Sequence, residues 1–281
     1  MSTFTTFLVM FTMFAVDYTS GSGFLHTKIG DVDFYCINDG DGSMPNALFP
    51  DASRDILQKF APSGKSPSSF SAFVVKKGTQ TILFDTGNGN QLLTNLKTAG
   101  IKTDEISAVV LTHSHGDHVG GLFSGDKQNF PNASVWITEK EVPYWKNAGN
   151  SALLAKTVDA YGELKIITTD EKTPVVIPEV VAIDVAGHTP GHTAFLVSSG
   201  NDKVVIAGDL LHGAAIQFPN PEISCRYDNN PKQAAESRQM LLARAANENW
   251  IFTASHIPFP GFGKIEKAEK GFKFVQQTNL K

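Results

Sequence analysis

Short apolar runs separated by helical patterns recur along this chain and leave few folds open. The clearest helix begins after Asn230, where Pro231 suits the first helical position and good helix formers follow. Alternating strands and helices predict a layered α/β domain. Eight runs have the composition of β-strands: residues 71–75, 81–84, 108–111, 134–138, 180–185, 193–197, 203–207 and 250–254.

Five of these runs end in a polar side chain, often beside glycine. The endings are Asp85-Thr86-Gly87, Thr112-His113, Ala186-Gly187-His188, Gly208-Asp209 and Ser255-His256. In α/β proteins, sites are commonly built where strands deliver polar side chains at one edge of a sheet. The five endings therefore predict one common pocket.

The stretch LTHSHGDHVGGL packs four metal-binding side chains around one glycine. In an extended segment His113 and His115 face the same way, so their imidazoles can share one ion. The glycine that follows permits a sharp turn, after which Asp117 and His118 point elsewhere and suit a second ion. A solvated polar loop is the alternative, but such crowding creates charge and desolvation costs that a cation relieves.

Two ions need more than four ligands, and three candidates stand beside later strands: His192, Asp209 and His256. We expect two sets of three ligands joined by one bridging carboxylate. The first set is His113, His115 and His192, the second is Asp117, His118 and His256, and Asp209 bridges the ions. Nitrogen and oxygen ligands without thiolate fit zinc, with iron, manganese and cobalt as the other candidates.

The motifs HSHGDH and GHTPGH, the GD after a strand and the late SH resemble the metallo-β-lactamase superfamily, in its branch with two metals and a bridging aspartate. The resemblance runs from about residue 70 onward and implies a four-layer αβ/βα sandwich with the metals at one rim. It implies that Asp85 orients a ligand histidine. We take the second histidine of GHTPGH, His192, as the ligand and His188 as a structural or supporting residue. Asp209 stands where antibiotic-degrading members often carry cysteine, which argues against β-lactamase activity.

A closer resemblance lies in the C-terminal third. GDLLHGAAIQF, DNNPKQAAESR and ASHIPFPGFGKI look like the methyl parathion hydrolase group, and residues 23–42 look like its opening strand pair. The metal motifs look equally like acyl-homoserine lactonases. The resemblance implies a hydrolase that opens lactones or cleaves carboxylic esters, most specifically N-acyl-homoserine lactones. Phosphotriester hydrolysis is the alternative.

The expected chemistry follows from the metal pair. A water between two divalent ions has its pKa lowered from roughly 15.7 toward about 7, so hydroxide becomes available at neutral pH. Asp117 is placed to take the proton of the nucleophile and pass it to the leaving oxygen. His212 follows Asp209 by three residues, where the lactonases often carry a tyrosine, so it either contacts the substrate or is structural.

Composition restricts the substrate and the partners. The 281 residues carry a formal net charge of -4 with scattered lysines and arginines, which disfavours nucleic acids and anionic substrates such as glutathione thioesters. We expect a small, neutral, partly apolar substrate. Cys36 and Cys225 are the only cysteines, so a thiolate metal site is disfavoured and a Cys36–Cys225 bridge is the only disulfide available.

Other protein classes on the same scaffold fit this chain less well. A flavodiiron-like oxidoreductase would need a flavin domain, for which 281 residues leave no room. A silent binding module would have lost one or more ligands, and all seven are present.

We expect residues 1–20 to form an apolar N-terminal segment, signal-like or part of an interface, ahead of a single catalytic domain of the metallo-β-lactamase fold at 21–281. The apolar run at 4–16 is too short to span a bilayer, which takes about 20 residues. Three interpretations stay open: an export signal without the usual Lys or Arg, a buried element, or a segment covered by a second subunit of a homodimer. The protein is accordingly expected to be cytoplasmic or exported. Residues 61–69 are predicted to be a surface loop.

Overall fold

The computed structural model describes residues 16–18, 23–147 and 151–277. The strands in these residues are β1 (Val16–Tyr18), β2 (Phe24–Ile29), β3 (Val32–Pro45), β4 (Lys65–Lys77), β5 (Gln80–Phe84), β6 (Ala108–Val110), β7 (Phe123–Ser124), β8 (Lys127–Gln128), β9 (Ser134–Thr138), β10 (Lys165–Ile167), β11 (Asp170–Val175), β12 (Ile177–Asp184), β13 (Thr193–Ser199), β14 (Asp202–Ile206), β15 (Ile251–Thr253), β16 (Phe262–Lys267) and β17 (Phe272–Gln276). The α-helices are α1 (Arg54–Phe60), α2 (Leu92–Thr98), α3 (Gly116–Val119), α4 (Glu141–Asn147), α5 (Ser151–Tyr161), α6 (Ala214–Gln217) and α7 (Pro231–Asn247).

Two large mixed sheets organise the chain. The first has the strand order β1-β2-β3-β4-β5-β6-β9-β10, and the second runs in sequence order from β11 to β17. The neighbours β5–β6, β6–β9, β9–β10 and β14–β15 are parallel, and the other pairs are antiparallel. Strands β7 and β8 form a separate short hairpin.

The sheets pack face to face around an aromatic centre. Phe84 of the first sheet lies 5.1 Å from Phe195 of the second, and Phe34 lies 5.8 Å from Phe262, measured between ring centroids. The outer face of the first sheet is covered by buried side chains of α2 and α4, and the outer face of the second by those of α7. Because each sheet buries both faces, its inner strands are almost continuously apolar. The predicted four-layer αβ/βα sandwich is confirmed.

All eight predicted strands are present, with ends that shift by a few residues. The predicted helix after Asn230 is α7, whose first residue is Pro231 and whose N-cap side chain accepts a hydrogen bond from the Gln233 amide at 3.2 Å. The opening strand pair at 23–42 corresponds to β2 and β3.

The predicted surface loop at 61–69 is wrong in its second half. Strand β4 already begins at Lys65, and Ser66, Ser68 and Ser69 are buried. The serine- and proline-rich composition is typical of loops, but these hydroxyls find partners inside the protein. The Ser69 hydroxyl donates to Asp41 at 2.9 Å, and the Ser68 hydroxyl donates to the His256 carbonyl at 3.1 Å.

Cys36 and Cys225 are both buried and free, so the disulfide left open by the sequence does not form. Of the N-terminal segment, only β1 is described, and it pairs with β2 in the first sheet. Residues 1–15 and 19–22 lie outside the described residues. Among the helices that the structure describes, none is long and apolar enough to cross a membrane.

Candidate metal centre

The five predicted strand ends meet around the carboxylate of Asp209. This side chain is 2 % exposed and follows β14. The preceding Gly208 has a φ of 53°, and a Cβ there would lie 2.7 Å from the His192 Nε2 atom, so glycine is needed for the turn into the site. Five histidines place a ring nitrogen near the Asp209 oxygens: His118 at 3.0 Å, His256 at 3.1 Å, His212 at 3.2 Å, His188 at 3.4 Å and His113 at 3.7 Å.

A first group of potential ligands consists of His113, His115, His188 and Asp209, each with one atom within 4.8 Å of the others. The His115 Nδ1 atom lies 3.1 Å from His113 Nε2 and 2.9 Å from His188 Nε2. Three ring nitrogens thus face one point. Burial lowers the pKa of His113, His115 and His188, so their imidazoles stay neutral and keep a lone pair for a ligand.

Hydrogen bonds on the far side of the rings assign their protons. The His188 Nδ1 atom lies 3.1 Å from the Asp228 carboxylate and must donate to it, which leaves Nε2 bare. Thr112 donates its hydroxyl to Asp85 at 2.8 Å and therefore accepts from His113 Nδ1 at 3.0 Å, which leaves His113 Nε2 bare as well. Two lone pairs converge on His115 Nδ1, which carries at most one proton. A cation at this point satisfies all three nitrogens.

The expectation that His192 completes this group is wrong, because His192 does not direct a free ring nitrogen into it. The His192 Nε2 atom accepts a hydrogen bond from the Asp209 amide at 3.0 Å, and its Nδ1 atom donates to the Val185 carbonyl at 3.2 Å. Both nitrogens are therefore engaged by backbone. His188, which we expected to be structural, supplies the third ring nitrogen of the group instead.

A second group consists of Asp117, His118, Asp209 and His256. The His118 Nδ1 atom donates to Asp85 at 2.7 Å, which confirms the predicted orienting contact, and its Nε2 atom is buried without a hydrogen-bond partner. The His256 Nδ1 atom donates to the Ser69 carbonyl at 3.1 Å, so its Nε2 lone pair faces the Asp209 carboxylate.

These contacts favour a positive charge between the ring nitrogens and the Asp209 carboxylate. Burial opposes protonation, yet the field of Asp209 raises the pKa of His118 well above its usual value and that of His256 to about 9. One Asp209 oxygen, Oδ1, is itself buried without a hydrogen-bond partner. An acceptor facing an acceptor is costly unless a proton or a metal ion lies between them. The residues present therefore fit two divalent cations that share Asp209.

His212 lies beside the centre rather than in either group of four. Its Nε2 atom is 3.2 Å from Asp209, and its ring stacks on His256 with centroids 5.0 Å apart. Although burial opposes protonation, the contact with the Asp209 carboxylate raises the pKa of His212 to about 10. His212 lines the cleft, which would allow it to contact a substrate. That contact stays a prediction.

Several supporting residues were not predicted from the sequence, although Asp228 and Arg238 lie in the DNNPKQAAESR segment that carries the family resemblance. Asp228 orients His188, and Arg238, fully buried on α7, lies 3.6 Å from the Asp228 carboxylate. Tyr144 places its hydroxyl 3.0 Å from His115 Nε2. These residues come from helices or loops far along the chain, so only the folded structure brings them together.

A cleft of about 700 Å³ opens over the metal groups. Its floor includes Asp117, which is the most exposed of the clustered acids at 26 % of its side chain. The larger apolar or aromatic residues that line the cleft are Met44, Pro45, Leu48, Phe70 and Tyr227. Within the described residues, no lysine or arginine lines this cleft.

Comparison with known proteins identifies the class. The model of the metallo-β-lactamase superfamily matches residues 67–256, more than half of the chain and the span that contains both groups. The chain therefore belongs to the metallo-β-lactamase superfamily. Within it, this protein is a metal-dependent hydrolase.

Three similar proteins illustrate the relationship. The uncharacterized protein YobT of Bacillus subtilis (strain 168) is 31 % identical over 182 residues, which cover 58 % of this chain and 75 % of YobT. The structure of AbOPH, a hydrolase of the β-lactamase superfamily, shares 28 % identity, covers 93 % of this chain and 99 % of its own, and gives a TM-score of 0.82. The structure of AidC, a dizinc quorum-quenching lactonase in complex with the product N-hexanoyl-L-homoserine, shares 27 % identity, covers 92 % and 99 %, and gives a TM-score of 0.83.

Proposed function

We propose that this protein binds two divalent metal ions, zinc in the first instance, and hydrolyses neutral lactones or carboxylic esters, most specifically N-acyl-homoserine lactones. In this proposal His113, His115 and His188 hold one ion, and Asp117, His118 and His256 hold the other. Asp209 contributes to both. The proposal is supported by the convergence of bare ring nitrogens on one carboxylate and by the similarity to a dizinc lactonase.

The observation that carries the choice of substrate is the composition of the cleft. Apolar and aromatic side chains make up part of its lining, and among the described lining residues Asp117 and Asp209 are the only acids, with no Lys or Arg. With two divalent ions bound at these acids, the ions would be the main positive charges in the cleft, and none of the described residues that line it is a Lys or Arg that could bind an anionic group away from them. A neutral ring with an apolar chain suits such a cleft, since the chain can pack against the apolar lining residues.

Two bound cations would supply Lewis acidity and would lower the pKa of a bound water, so that hydroxide would be available as the nucleophile near neutral pH. The residues of the chain supply the remaining functions. Asp117 is partly exposed at the cleft floor, with its Oδ2 atom 3.4 Å from His256 Nε2. In our proposal this carboxylate takes the proton of the attacking water and returns it to the leaving oxygen. His212 donates a hydrogen bond to the substrate.

Phosphotriester hydrolysis is the second candidate. It is supported by the likeness of the segments around Asp209, α7 and His256 to the methyl parathion hydrolase group, and a phosphotriester is also neutral. The two substrate classes differ in shape, because a tetrahedral phosphorus centre carries three arms and an acyl-homoserine lactone carries one long chain.

A direct comparison of rates tests the proposal. The zinc-loaded protein is assayed on long-chain N-acyl-homoserine lactones, p-nitrophenyl esters and a dimethyl phosphorothioate, with an Asp117→Asn variant as the chemical control. We expect the highest kcat/KM on the lactones. The variant should lose at least ~100-fold, because a general acid/base contributes about that much and the substitution also removes a carboxylate ligand of the second ion. A higher kcat/KM on the phosphorothioate would transfer the assignment to the second candidate.

A further inference from the structure

We propose that Glu141 positions the three histidines of the first group by holding their two loops together. His113 and His115 lie on the loop after β6, and His188 lies on the loop after β12. Glu141, the first residue of α4, lies between these loops and is fully buried. This role rests on the proposed metal binding, because it assigns a purpose to the alignment of those rings.

One carboxylate oxygen of Glu141 serves the first loop. It accepts hydrogen bonds from the Ser114 amide at 3.0 Å and from the Ser114 hydroxyl at 2.7 Å. Ser114 stands between the two histidines, so its fixed backbone sets the direction of both flanking side chains. On the same helix, Tyr144 contacts His115 Nε2 at 3.0 Å. The first turn of α4 therefore reaches this loop at two points.

The other oxygen serves the second loop. It accepts from the Thr189 hydroxyl at 2.8 Å and from the Gly191 amide at 3.0 Å. Thr189 directly follows His188. All four partners of the carboxylate are donors, so the ionised acid satisfies them and a neutral amide in its place cannot.

The second loop also approaches α4 closely. A Cβ at Gly191 would lie 2.6 Å from the Glu141 backbone nitrogen and 2.8 Å from its Cβ. The Thr138 hydroxyl, at the end of β9, donates to the Gly191 carbonyl at 2.9 Å. Glycine is therefore required for the loop to reach the carboxylate, and the contact is a built feature of the fold rather than a chance meeting of side chains.

The test compares metal affinities in Glu141→Gln with those in Glu139→Gln, a control that changes an exposed glutamate two residues away. Zinc binding is measured by competition with a chromogenic chelator, and the ions are counted by native mass spectrometry. We expect the wild type and the control to bind two ions tightly. Glu141→Gln should keep one tight ion and bind the other about 10- to 100-fold more weakly, as is typical when a supporting partner of a ligand is lost.

Two further variants leave Glu141 in place. Thr189→Val removes one of the four donors, and Gly191→Ala pushes the loop from α4 by its added Cβ. Both variants should lower the affinity for the same one of the two ions, and Thr189→Val should lower it less than Gly191→Ala. If Glu141→Gln does not fold, Thr189→Val decides the matter. Equal weakening of both ions, or unchanged affinity for both, would overturn the proposed positioning role.

Failure of the proposed function has a different signature. If the wild type binds no ion, the metal proposal fails, and the positioning role is tested on the metal-free protein by NMR of ¹⁵N-labelled histidine rings. Glu141→Gln should then shift or broaden the signals of His113, His115 and His188 and leave those of His118 and His256 unchanged. Unchanged signals in all five rings would overturn the role of Glu141 itself.

Discussion

At the scale of single residues, His188 and His192 stand four positions apart in one hexapeptide, yet hydrogen bonding gives them different tasks. His188 donates one ring nitrogen to Asp228 and leaves the other bare, whereas His192 uses both nitrogens on backbone groups. The motif led us to predict His192 as the ligand, whereas the structure places His188 in the group. The sequence pattern misses this because the choice depends on Asp228, which lies 40 residues beyond His188 in the chain.

The two histidines can be separated by alanine substitution. His188→Ala should lose one of two bound ions. His192→Ala should keep both, but it leaves the buried Asp209 amide without its acceptor and should lower the free energy of unfolding by about 1–3 kcal/mol. Elemental analysis and denaturant unfolding measure the two effects. Loss of an ion from His192→Ala with two ions retained in His188→Ala would restore the assignment made from the sequence.

Asp209 and His212 make a second matched pair. Asp209→Ala should lose metal and activity together, because this carboxylate belongs to both groups. His212→Ala should retain both ions and slow turnover. Asp159→Ala, an exposed acid on α5, serves as the control. The measurements are metal content and kcat, and a normal ion count in Asp209→Ala would contradict the bridging role.

At the scale of elements, α7 supports the site from the second sheet through one buried side chain. Arg238 donates to the carbonyls of Leu210, Pro221 and Ile223 at 2.6, 2.9 and 2.8 Å, and its remaining nitrogen lies near Asp228. It thus fixes the segment after Asp209 and the loop that carries Asp228. Burial lowers the pKa of Arg238, while Asp228 opposes that shift.

Replacing this arginine should be costly. Arg238→Met removes a donor from the Leu210, Pro221 and Ile223 carbonyls and the cation beside the buried Asp228 carboxylate, so we expect a loss of roughly 3–5 kcal/mol in the free energy of unfolding. Arg244→Met on the same helix breaks a partly exposed pair with Glu171 and should cost about 1 kcal/mol or less. Urea unfolding of both variants checks this contrast. Equal losses in the free energy of unfolding would show that the buried network of Arg238 stabilises the fold no more than the exposed pair does.

The elements also show what sequence patterns can predict. Apolar runs ending in polar residues predicted the strands and their common edge, because a strand that is buried on both sheet faces is an uninterrupted run of apolar residues. The start of β4 was missed because its serines are satisfied by tertiary partners, His256 and Asp41 among them. Similarly, the sequence around Glu141 does not predict its role, since its four hydrogen-bond donors come from two loops that are distant in the chain.

At the scale of the whole molecule, segments that follow strands of the first sheet contribute four of the seven proposed ligands and those of the second sheet contribute three. Bound ions would therefore hold the sheets together at this end of the sandwich. Ions that bind the folded state alone stabilise it by mass action, by about 2.7 kcal/mol at a free concentration of 100 times Kd. Removal of the ions with a chelator should therefore lower the Tm and abolish activity. Readdition of zinc should restore both, and an unchanged Tm would argue against ions that bridge the sheets.

The most direct test is a crystal structure of the zinc-loaded protein with diffraction recorded on both sides of the zinc absorption edge. We expect two anomalous peaks that share Asp209, one among His113, His115 and His188 and the other among Asp117, His118 and His256. No peak at this carboxylate, or a peak ligated by His192, would contradict this expectation.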